Sequence, residues 1–454
     1  MRTGLGRRPR RLLSLVVAGV VSLGSVLFRG DTPQPAAAQA RPSTEEPIRY
    51  TGPGSCSSPS CHGSVRPRTE TRIWQNEYSI WVVKGKHSGA FAALSNPVAV
   101  RMARILGLPR ADTAPKCLAC HALDVPASER GRTFDLSDGV SCESCHGPAA
   151  AWLGPHTTKN WTHEQSLQRG MYDTRDLIKR TEKCLSCHLG NQEKFVDHEM
   201  LAAGHPDLFF ELDSFSAVMP RHWKEPAEKD PWWSVREWSS GQAVQLREAL
   251  KRLSARARSK VWPEYTDLQC EACHHSLVKA EQSWRQERGY PHRRPGDPPW
   301  NASRYAVFRQ LARQVNPETA KQVEARLSQL AESMSRLEPD REAVASAAAA
   351  SAELADRLAR RMVALPYDQA LTLRLLRAIS NDADYISGQG EQAAEQAAMA
   401  LDSLFIAYIR NAKLGNEPEV RAAIQALFQQ LQNPSDYNAH LFARQMRRVE
   451  SLLH

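Results

Sequence analysis

Every cysteine in this 454-residue chain belongs to a pair that is followed at once by a histidine. The five motifs consist of Cys56, Cys61 and His62; Cys117, Cys120 and His121; Cys142, Cys145 and His146; Cys184, Cys187 and His188; and Cys270, Cys273 and His274. Cys-x-x-Cys-His is the signature of c-type haem attachment, in which two thioethers hold the porphyrin and the histidine binds the iron. The motifs therefore predict five covalently bound haem c groups.

The first motif differs from the others because four residues, not two, separate Cys56 from Cys61. We expect this wider loop to bulge away from the porphyrin. Paired cysteines also build structural zinc sites, and exported chains use them in disulfide frameworks. Neither alternative requires a histidine directly after the second cysteine of every pair, so haem is the favoured interpretation.

The N-terminus predicts export. Five arginines, Arg2, Arg7, Arg8, Arg10 and Arg11, precede an apolar run over residues 12–28 and the small-residue sequence Ala38-Gln39-Ala40. This pattern indicates a signal peptide over residues 1–40, cleaved after Ala40, and a periplasmic or otherwise extracytoplasmic protein. Arg10-Arg11 hints at a twin-arginine signal, but haem is attached to an open chain, which favours ordinary secretion. An uncleaved segment would instead associate the protein with a membrane.

More than half of the net positive charge of the chain comes from the predicted signal peptide. The formal net charge is +9, and residues 1–40 contribute six arginines and one aspartate, or +5, which leaves +4 (9 − 5) for the mature chain. The propionates of five haems would offset that remainder. We therefore expect no nucleic-acid partner.

The cysteines also divide the chain into segments. Residues 41–55 are a polar leader, residues 56–299 form a predicted pentahaem domain, and residues 300–454 contain no cysteine. The haem segment has too few residues per haem for a separate apolar core around each one, so short helices and long loops should wrap stacked haems. The C-terminal segment should be an all-α helical bundle. The predicted fold class is therefore mainly α.

Helical periodicity supports the bundle. Val323, Leu327, Leu330, Met334 and Leu337 recur on one helical face, and Asn316-Pro317 is typical of a helix start. Further apolar-periodic stretches cover residues 343–365, 369–379, 391–409, 420–431 and 438–453. The pattern predicts antiparallel helices. It leaves open whether they serve docking, dimerisation or shielding of the haems.

The sixth ligand of each iron decides between two functions, because an iron with two histidines carries electrons whereas an open iron can bind small molecules. We predict four distal ligands, which are His87, His156, His198 and His205. The last two are seven residues apart and can project from one side of a helix. Further candidates are His163, His222 and His292, whereas His275, His440 and His454 are expected at the surface.

Several segments around these histidines resemble the cytochrome c-554/c-prime family. They are Trp81, Lys86-His87-Ser88-Gly89-Ala90, residues 139–148 with Trp152 and His156, His198-Glu199-Met200-Leu201 and Gly204-His205-Pro206. The resemblance covers about residues 54–210 and implies haems in parallel-stacked and perpendicular pairs, a packing also found in hydroxylamine oxidoreductase. It further implies that His156 reaches the first haem, that His87 is a ligand, and that the haem on His121 lacks a distal ligand.

These observations predict an electron carrier that acts between redox partner proteins, such as other cytochromes or a membrane quinone-linked complex. A haem enzyme that acts on a small nitrogen, oxygen or sulfur species at a five-coordinate iron is one alternative. A structural redox module of a larger assembly is another, suggested by the helical C-terminal segment. We assign no catalytic residue.

Overall fold

The C-terminal segment forms helices where its apolar residues recur at helical spacing. Pro317–Met334 is helical, and the Asn316 side chain accepts a hydrogen bond from the backbone N–H of Thr319 at 3.2 Å. This cap satisfies a donor that the first turn leaves unpaired. The predicted apolar face is buried at Val323, Leu327, Leu330 and Met334. The sequence therefore locates both the start and the buried face of this helix.

A computed structural model of the chain describes residues 48–225, 230–270, 273–274, 299–336 and 338–453. Its helices are α1 Glu77–Lys84, α2 Pro97–Ile105, α3 Pro115–His121, α4 Cys142–His146, α5 His163–Gln168, α6 Leu177–His188, α7 His198–Ala203, α8 Leu212–Val218, α9 Trp233–Ala257, α10 Ser303–Ala306, α11 Phe308–Val315, α12 Pro317–Met334, α13 Arg341–Ala364, α14 Gln369–Asn381, α15 Ala383–Gly388, α16 Glu391–Asn411, α17 Glu417–Gln429 and α18 Ala439–Leu452. The predicted mainly α fold is confirmed. The predicted signal peptide, residues 41–47 of the leader, Leu337, His275, His292 and His454 lie outside the described residues.

The segment that holds the first four motifs is built from short helices and long connections. Helices α1 to α8 have between 5 and 12 residues. β-Structure in the described ranges is limited to two isolated bridges, Tyr50 with Arg130 and Leu268 with Trp300. No helix in the described part of the chain combines the length and apolarity needed to span a membrane.

Helix α9 connects the haem-motif segment to the C-terminal helices. It has 25 residues, and Trp238, Leu246, Leu250 and Leu253 on it are buried. One apolar cluster includes these side chains, residues of α6 such as Leu185, and the C-terminal helices through residue 453. The same core therefore contains side chains from both sides of residue 300.

A glycine on α9 permits close packing of α8. A Cβ atom at Gly241 would lie 2.7 Å from Cβ of Leu212, whereas a Cβ atom at Gly388 in α15 meets no atom within 4 Å. We expect Gly241→Ala to lower the free energy of unfolding by about 1–3 kcal/mol, because the added methyl group overpacks the core. Gly388→Ala is the matched control and should raise stability by up to about 1 kcal/mol. Denaturant unfolding of the holoprotein followed by circular dichroism measures both, and equal stabilisation would contradict this account.

Candidate haem-binding site

Three of the five motifs end a short helix at their histidine. Helices α3, α4 and α6 finish at His121, His146 and His188, respectively. Residues three and four apart share one face of a helix, so both cysteines and the histidine of each motif can face the same side. On α6, Leu177 and Leu185 are buried in the large apolar cluster, and Cys184 packs against it. The core therefore fixes the direction in which the fourth motif faces.

The first motif closes a wider turn. The backbone N–H of His62 donates to the Cys56 carbonyl at 3.2 Å, and residues 58–60 between them are exposed. A Cβ atom at Gly63 would lie 1.7 Å from the Ser57 carbonyl oxygen, so the tight return of the chain requires glycine there. The longer spacer therefore projects into solvent.

The fifth motif also folds into a turn at the residues that are described. The backbone N–H groups of Cys273 and His274 both donate to the Cys270 carbonyl, at 3.2 Å and 2.8 Å. The residues between the two cysteines, 271–272, lie outside the described part of the chain. This turn keeps His274 close to its cysteines.

Four imidazole pairs join a motif histidine to each of the four predicted distal histidines. The ring-centre distances are 6.3 Å for His62 and His156, 6.5 Å for His121 and His205, 6.3 Å for His188 and His87, and 6.1 Å for His274 and His198. Two imidazoles on opposite sides of one metal should be about 6.3 Å apart, given metal–nitrogen bonds of about 2.0 Å and a centre-to-nitrogen distance of about 1.1–1.2 Å. Each gap therefore has the width that one iron requires.

Hydrogen bonds fix which nitrogen of these rings can bind a metal. Nδ1 of His121 donates to the Ala90 carbonyl at 2.9 Å, and Nδ1 of His205 donates to the Pro206 carbonyl at 2.7 Å. The same nitrogen of His62 donates to the Glu77 carboxylate at 3.0 Å. Such partners set the tautomer of a metal-bound histidine. Nε2 is left as the metal-binding nitrogen in each case.

His156 follows the same rule, and its Nδ1 donates to the Leu153 carbonyl at 2.5 Å. Its ring also meets the edge of Trp152 at 5.5 Å between centres. His156 lies in the tight turn of residues 155–157. The Leu153 carbonyl and the Trp152 ring therefore orient its imidazole, which is paired with that of His62.

Helix α7 presents two of the distal histidines. His198 is its first residue, and the Asp197 side chain caps it by accepting from the Met200 N–H at 2.9 Å. The helix ends at Gly204, whose φ of 108° is in the left-handed region that glycine adopts readily. His205 follows directly. His198 at the start of this helix and His205 just after its end are thus ligand candidates for the fifth and second motifs, respectively.

The histidine of the third motif lacks such a ring partner. Among the described residues, His146 belongs to none of the imidazole pairs. Its pKa is lowered to about 4, first by desolvation and then by the nearby charge of His222. The resemblance to the c-554 family implied an open iron at His121 instead. The structure places His205 opposite His121 and leaves His146 without a paired ring.

Cysteine sulfurs of different motifs lie close together. Interaction with Cys142 is the largest influence on the pKa of Cys56, which it lowers, and Cys56 in turn raises the pKa of Cys142. Cys120 likewise lowers the pKa of Cys187 to about 5, and the Lys194 ammonium group joins the two motifs by donating to the Ala119 carbonyl at 3.1 Å and to the Cys187 sulfur at 3.2 Å. The first and third motifs are therefore neighbours, and so are the second and fourth.

Glu143, which lies between the two cysteines of the third motif, connects this motif to the chain before the first motif. Its buried carboxylate accepts hydrogen bonds from the backbone N–H groups of Thr51 at 3.0 Å, Gly52 at 2.7 Å and Ala149 at 2.7 Å. Glu143 thereby attaches the chain before the first motif to the third motif. Nothing in the motif pattern indicated this role, because the residues between the cysteines differ from one motif of this chain to the next.

Gly139 positions the third motif against a distal ligand segment. Its φ is 69°, and a Cβ atom there would lie 2.8 Å from the His87 carbonyl oxygen. The next N–H, that of Val140, donates to this same carbonyl at 3.1 Å. Only glycine allows this approach, so the sequence Gly-Val-Ser-Cys fixes the backbone of His87.

The motifs and the paired imidazoles define a c-type cytochrome with covalently bound haem. Residues 56–147 match the family described as cytochrome c554 and c-prime. Cytochrome c-554 of Nitrosomonas europaea is 32% identical over 83 residues, which make up 16% of this chain and 34% of that protein. The chain thus covers about a third of the length of this curated relative. No solved structure matches the chain.

The predicted resemblance is confirmed for residues 56–147, which match this family. The similarity of haem packing to hydroxylamine oxidoreductase stays a prediction. The fourth and fifth motifs and the C-terminal helices lie outside the matched residues.

The contacts of Glu143 give a testable prediction. Glu143→Gln replaces one acceptor oxygen with an N–H₂ group, which cannot accept from a buried backbone N–H. We expect the free energy of unfolding to fall by about 1–3 kcal/mol, because an unsatisfied buried donor has a cost of that size. Urea unfolding of the holoprotein measures this change. Glu193→Gln, at an exposed position, is the control, and an equally small effect of both variants would contradict the anchoring role.

Proposed function

We propose that this protein is an extracytoplasmic pentahaem c-type cytochrome that transfers electrons between redox partners. The observation that carries this proposal is the set of four imidazole pairs with ring centres 6.1–6.5 Å apart. An iron held by two imidazoles has no free position for a substrate. The haems would supply the reversible one-electron change, and the polypeptide supplies ligands, spacing and burial.

The sulfur contacts suggest an order for the redox centres. The first motif adjoins the third through Cys56 and Cys142, and the second adjoins the fourth through Cys120 and Cys187. Cys184 of the fourth motif is also within electrostatic range of Cys145 in the third. Helix α7 then links the second and fifth motifs. These contacts support a continuous path from the first motif through the third, fourth and second to the fifth.

Apolar side chains protect the paired imidazoles from water. Phe210 and Phe215 pack against His188 with ring centres 5.5 Å and 5.1 Å away. Desolvation lowers the pKa of His188 and also that of His87 and His205. These rings are thus kept neutral, as metal ligation requires. Exclusion of solvent around such ligands is one means by which a protein sets a redox potential.

The predicted signal peptide over residues 1–40 supports a periplasmic location. The electron donor and acceptor would be other cytochromes or a membrane quinone-linked complex. The segment over residues 300–454, which we propose as the helical C-terminal domain, shares the apolar core of α6 and α9. It would therefore hold the fourth motif rigidly while its outer helices face the partners.

One observation favours the alternative of a haem enzyme, namely that His146 has no paired ring among the described residues. An open iron there would bind a small nitrogen, oxygen or sulfur species. The candidate position is then the third motif and not His121, which the family resemblance implied.

Counting haems tests the proposal. In a host that attaches haem c, the exported chain should begin at residue 41 and carry five haems by intact mass and by haem assay. The double variant Cys270→Ser/Cys273→Ser should carry four, because each haem depends on its own cysteine pair. Four haems in the unmodified protein, or no loss in the double variant, would contradict the predicted fifth site.

Electron transfer is tested on the same preparation. A coulometric titration should take up five electrons per chain, one for each haem. Nitrite, hydroxylamine and hydrogen peroxide should produce no catalytic current at an electrode that carries the protein. A sustained catalytic current with any of them would support the enzyme alternative instead.

A further inference from the structure

A cavity beside the fifth motif combines apolar walls with two arginines. Its lining comes from this motif, from the chain around His198 and from helices α9 and α10, and it includes Cys270, Val196, Leu201, Arg252 and Arg304. His198 and His274 form the ring pair assigned to the same motif. The cavity therefore adjoins the site of the fifth haem, which lies outside the residues that match the family.

Arg304 has a guanidinium nitrogen without a partner. Its Nη2 donates to the Leu208 carbonyl at 2.6 Å, whereas Nη1 is buried and forms no hydrogen bond within the described part of the chain. Desolvation lowers the pKa of Arg304, and the charges of Asp207 and Glu395 offset this effect only in part. The side chain is therefore a buried cation with a free donor.

The two carboxylates that act on Arg304 do not complete its charge balance. Asp207 accepts hydrogen bonds from the Gln392 side chain and from the backbone N–H of Leu208, the latter at 2.8 Å. Burial raises the pKa of Glu395 to about 7, so this carboxyl group is only partly ionised at neutral pH. Arg304 thus lacks a full counter-charge.

Arg252 on α9 has the same property. Its Nη1 donates to the carbonyl of Leu189, the residue directly after the fourth motif, and its Nη2 lies 3.7 Å from the Asp267 carboxylate. Its Nε is buried and forms no hydrogen bond in the described ranges. Arg256 also donates to Asp267, at 2.7 Å. Two arginines therefore share one carboxylate.

These features indicate an anion with oxygen acceptors. A buried charge is stable when it is paired, and the guanidinium fork matches a carboxylate in shape and charge. The cavity has about 60 Å³ of space, which exceeds the roughly 10–15 Å³ that one water needs. A carboxylate group therefore fits beside the two unpaired nitrogens.

We propose that Arg252 and Arg304 bind a propionate of the haem attached at Cys270 and Cys273. This inference rests on the proposed function. The propionate carboxylate accepts from Nη1 of Arg304 and Nε of Arg252 and supplies the missing counter-charge. A free carboxylate would offer the same chemistry, but Cys270 lines this cavity, and this favours a carboxylate carried by the haem that Cys270 holds.

Propionate binding at this position has a consequence for electron transfer. Reduction adds one negative charge to a haem, so a nearby cation favours the reduced state and an unpaired carboxylate opposes it. The two arginines therefore raise the potential of the fifth haem. Arg252 also contacts the backbone next to the fourth motif, so one side chain connects the surroundings of two motifs.

The test uses the full-length holoprotein, and haem is counted first. A count of four would refute the pentahaem proposal, whereas the assignment of Arg252 and Arg304 is tested on preparations with five haems. Arg304→Gln removes the charge and keeps a polar side chain. Potentiometric titration should show that one haem in five has a lower potential, with an about tenfold change in its ratio of reduced to oxidised form, or about 59 mV.

Two comparisons make this shift specific. Arg258→Gln is the matched control, because it removes an exposed arginine directly after α9, and it should leave all five potentials unchanged. In the four-haem variant Cys270→Ser/Cys273→Ser, Arg304→Gln should shift none of the remaining potentials.

Three results would overturn the assignment. The first is five unchanged potentials in an Arg304→Gln variant that carries five haems. The second is a shift that persists in the four-haem variant, since the fifth haem would then not be the partner. The third is a potential of the unmodified protein that changes with acetate concentration at constant ionic strength, which would mean that a free carboxylate occupies the cavity.

A measurement on the unmodified protein keeps the assignment testable should Arg304→Gln fail to mature. Haem labelled with carbon-13 at its propionate carboxylates is followed by nuclear magnetic resonance in the fully reduced protein. A carboxylate held by two guanidinium groups should stay ionised down to about pH 4, because nearby cations lower its pKa. Its signal should be absent from the four-haem variant. Ordinary titration of every carboxylate that depends on Cys270 and Cys273 would overturn the assignment.

Discussion

The axis through two imidazoles and one iron is the constraint on which the rest of this structure depends. It requires two rings about 6.3 Å apart, each with Nε2 free for the metal. Four pairs meet the spacing, although the partners in each come from distant parts of the chain. The haems that such pairs hold would supply much of the apolar core that a segment of this length otherwise needs. They also explain why short helices and long loops suffice between residues 48 and 218.

The remaining elements serve to hold these axes in place. Glu143 fastens the chain before the first motif to the third, and Gly139 permits the close approach of the His87 backbone. Helix α9 gives the fourth motif a rigid support through the core it shares with α6. Backbone carbonyls, more than side chains, set the tautomers of the ligand rings. Because backbone groups do this work, side chains on the surface of the haem-motif segment are left available for redox partners.

Much of this arrangement could be predicted from the sequence because the signals were local. A motif histidine lies beside its cysteines, and the helix at Pro317–Met334 has a cap and a buried face that neighbouring residues define. The distal set could be predicted in outline, and the resemblance implied that His156 reaches the first haem, in agreement with its pairing with His62. The motifs that His87, His198 and His205 face could not be predicted. That choice depends on how separate turns pack, and His205 faces His121 where the family resemblance implied no ligand.

Other features carried no readable signal. Glu143 occupies a variable position of its motif, so its three backbone partners could be identified only in three dimensions. The sequence also did not reveal that one apolar core contains residues from both sides of residue 300. The composition of the chain changes at that point, but the same core continues across it.

The most direct test of the central claim is a count of bis-histidine haems by near-infrared magnetic circular dichroism of the fully oxidised holoprotein. The ligand-to-metal band of low-spin ferric haem reports the identity of both axial ligands. We predict at least four bis-histidine haems per chain, in agreement with the four imidazole pairs. Fewer than four in a protein that carries its full complement of haem would contradict the account.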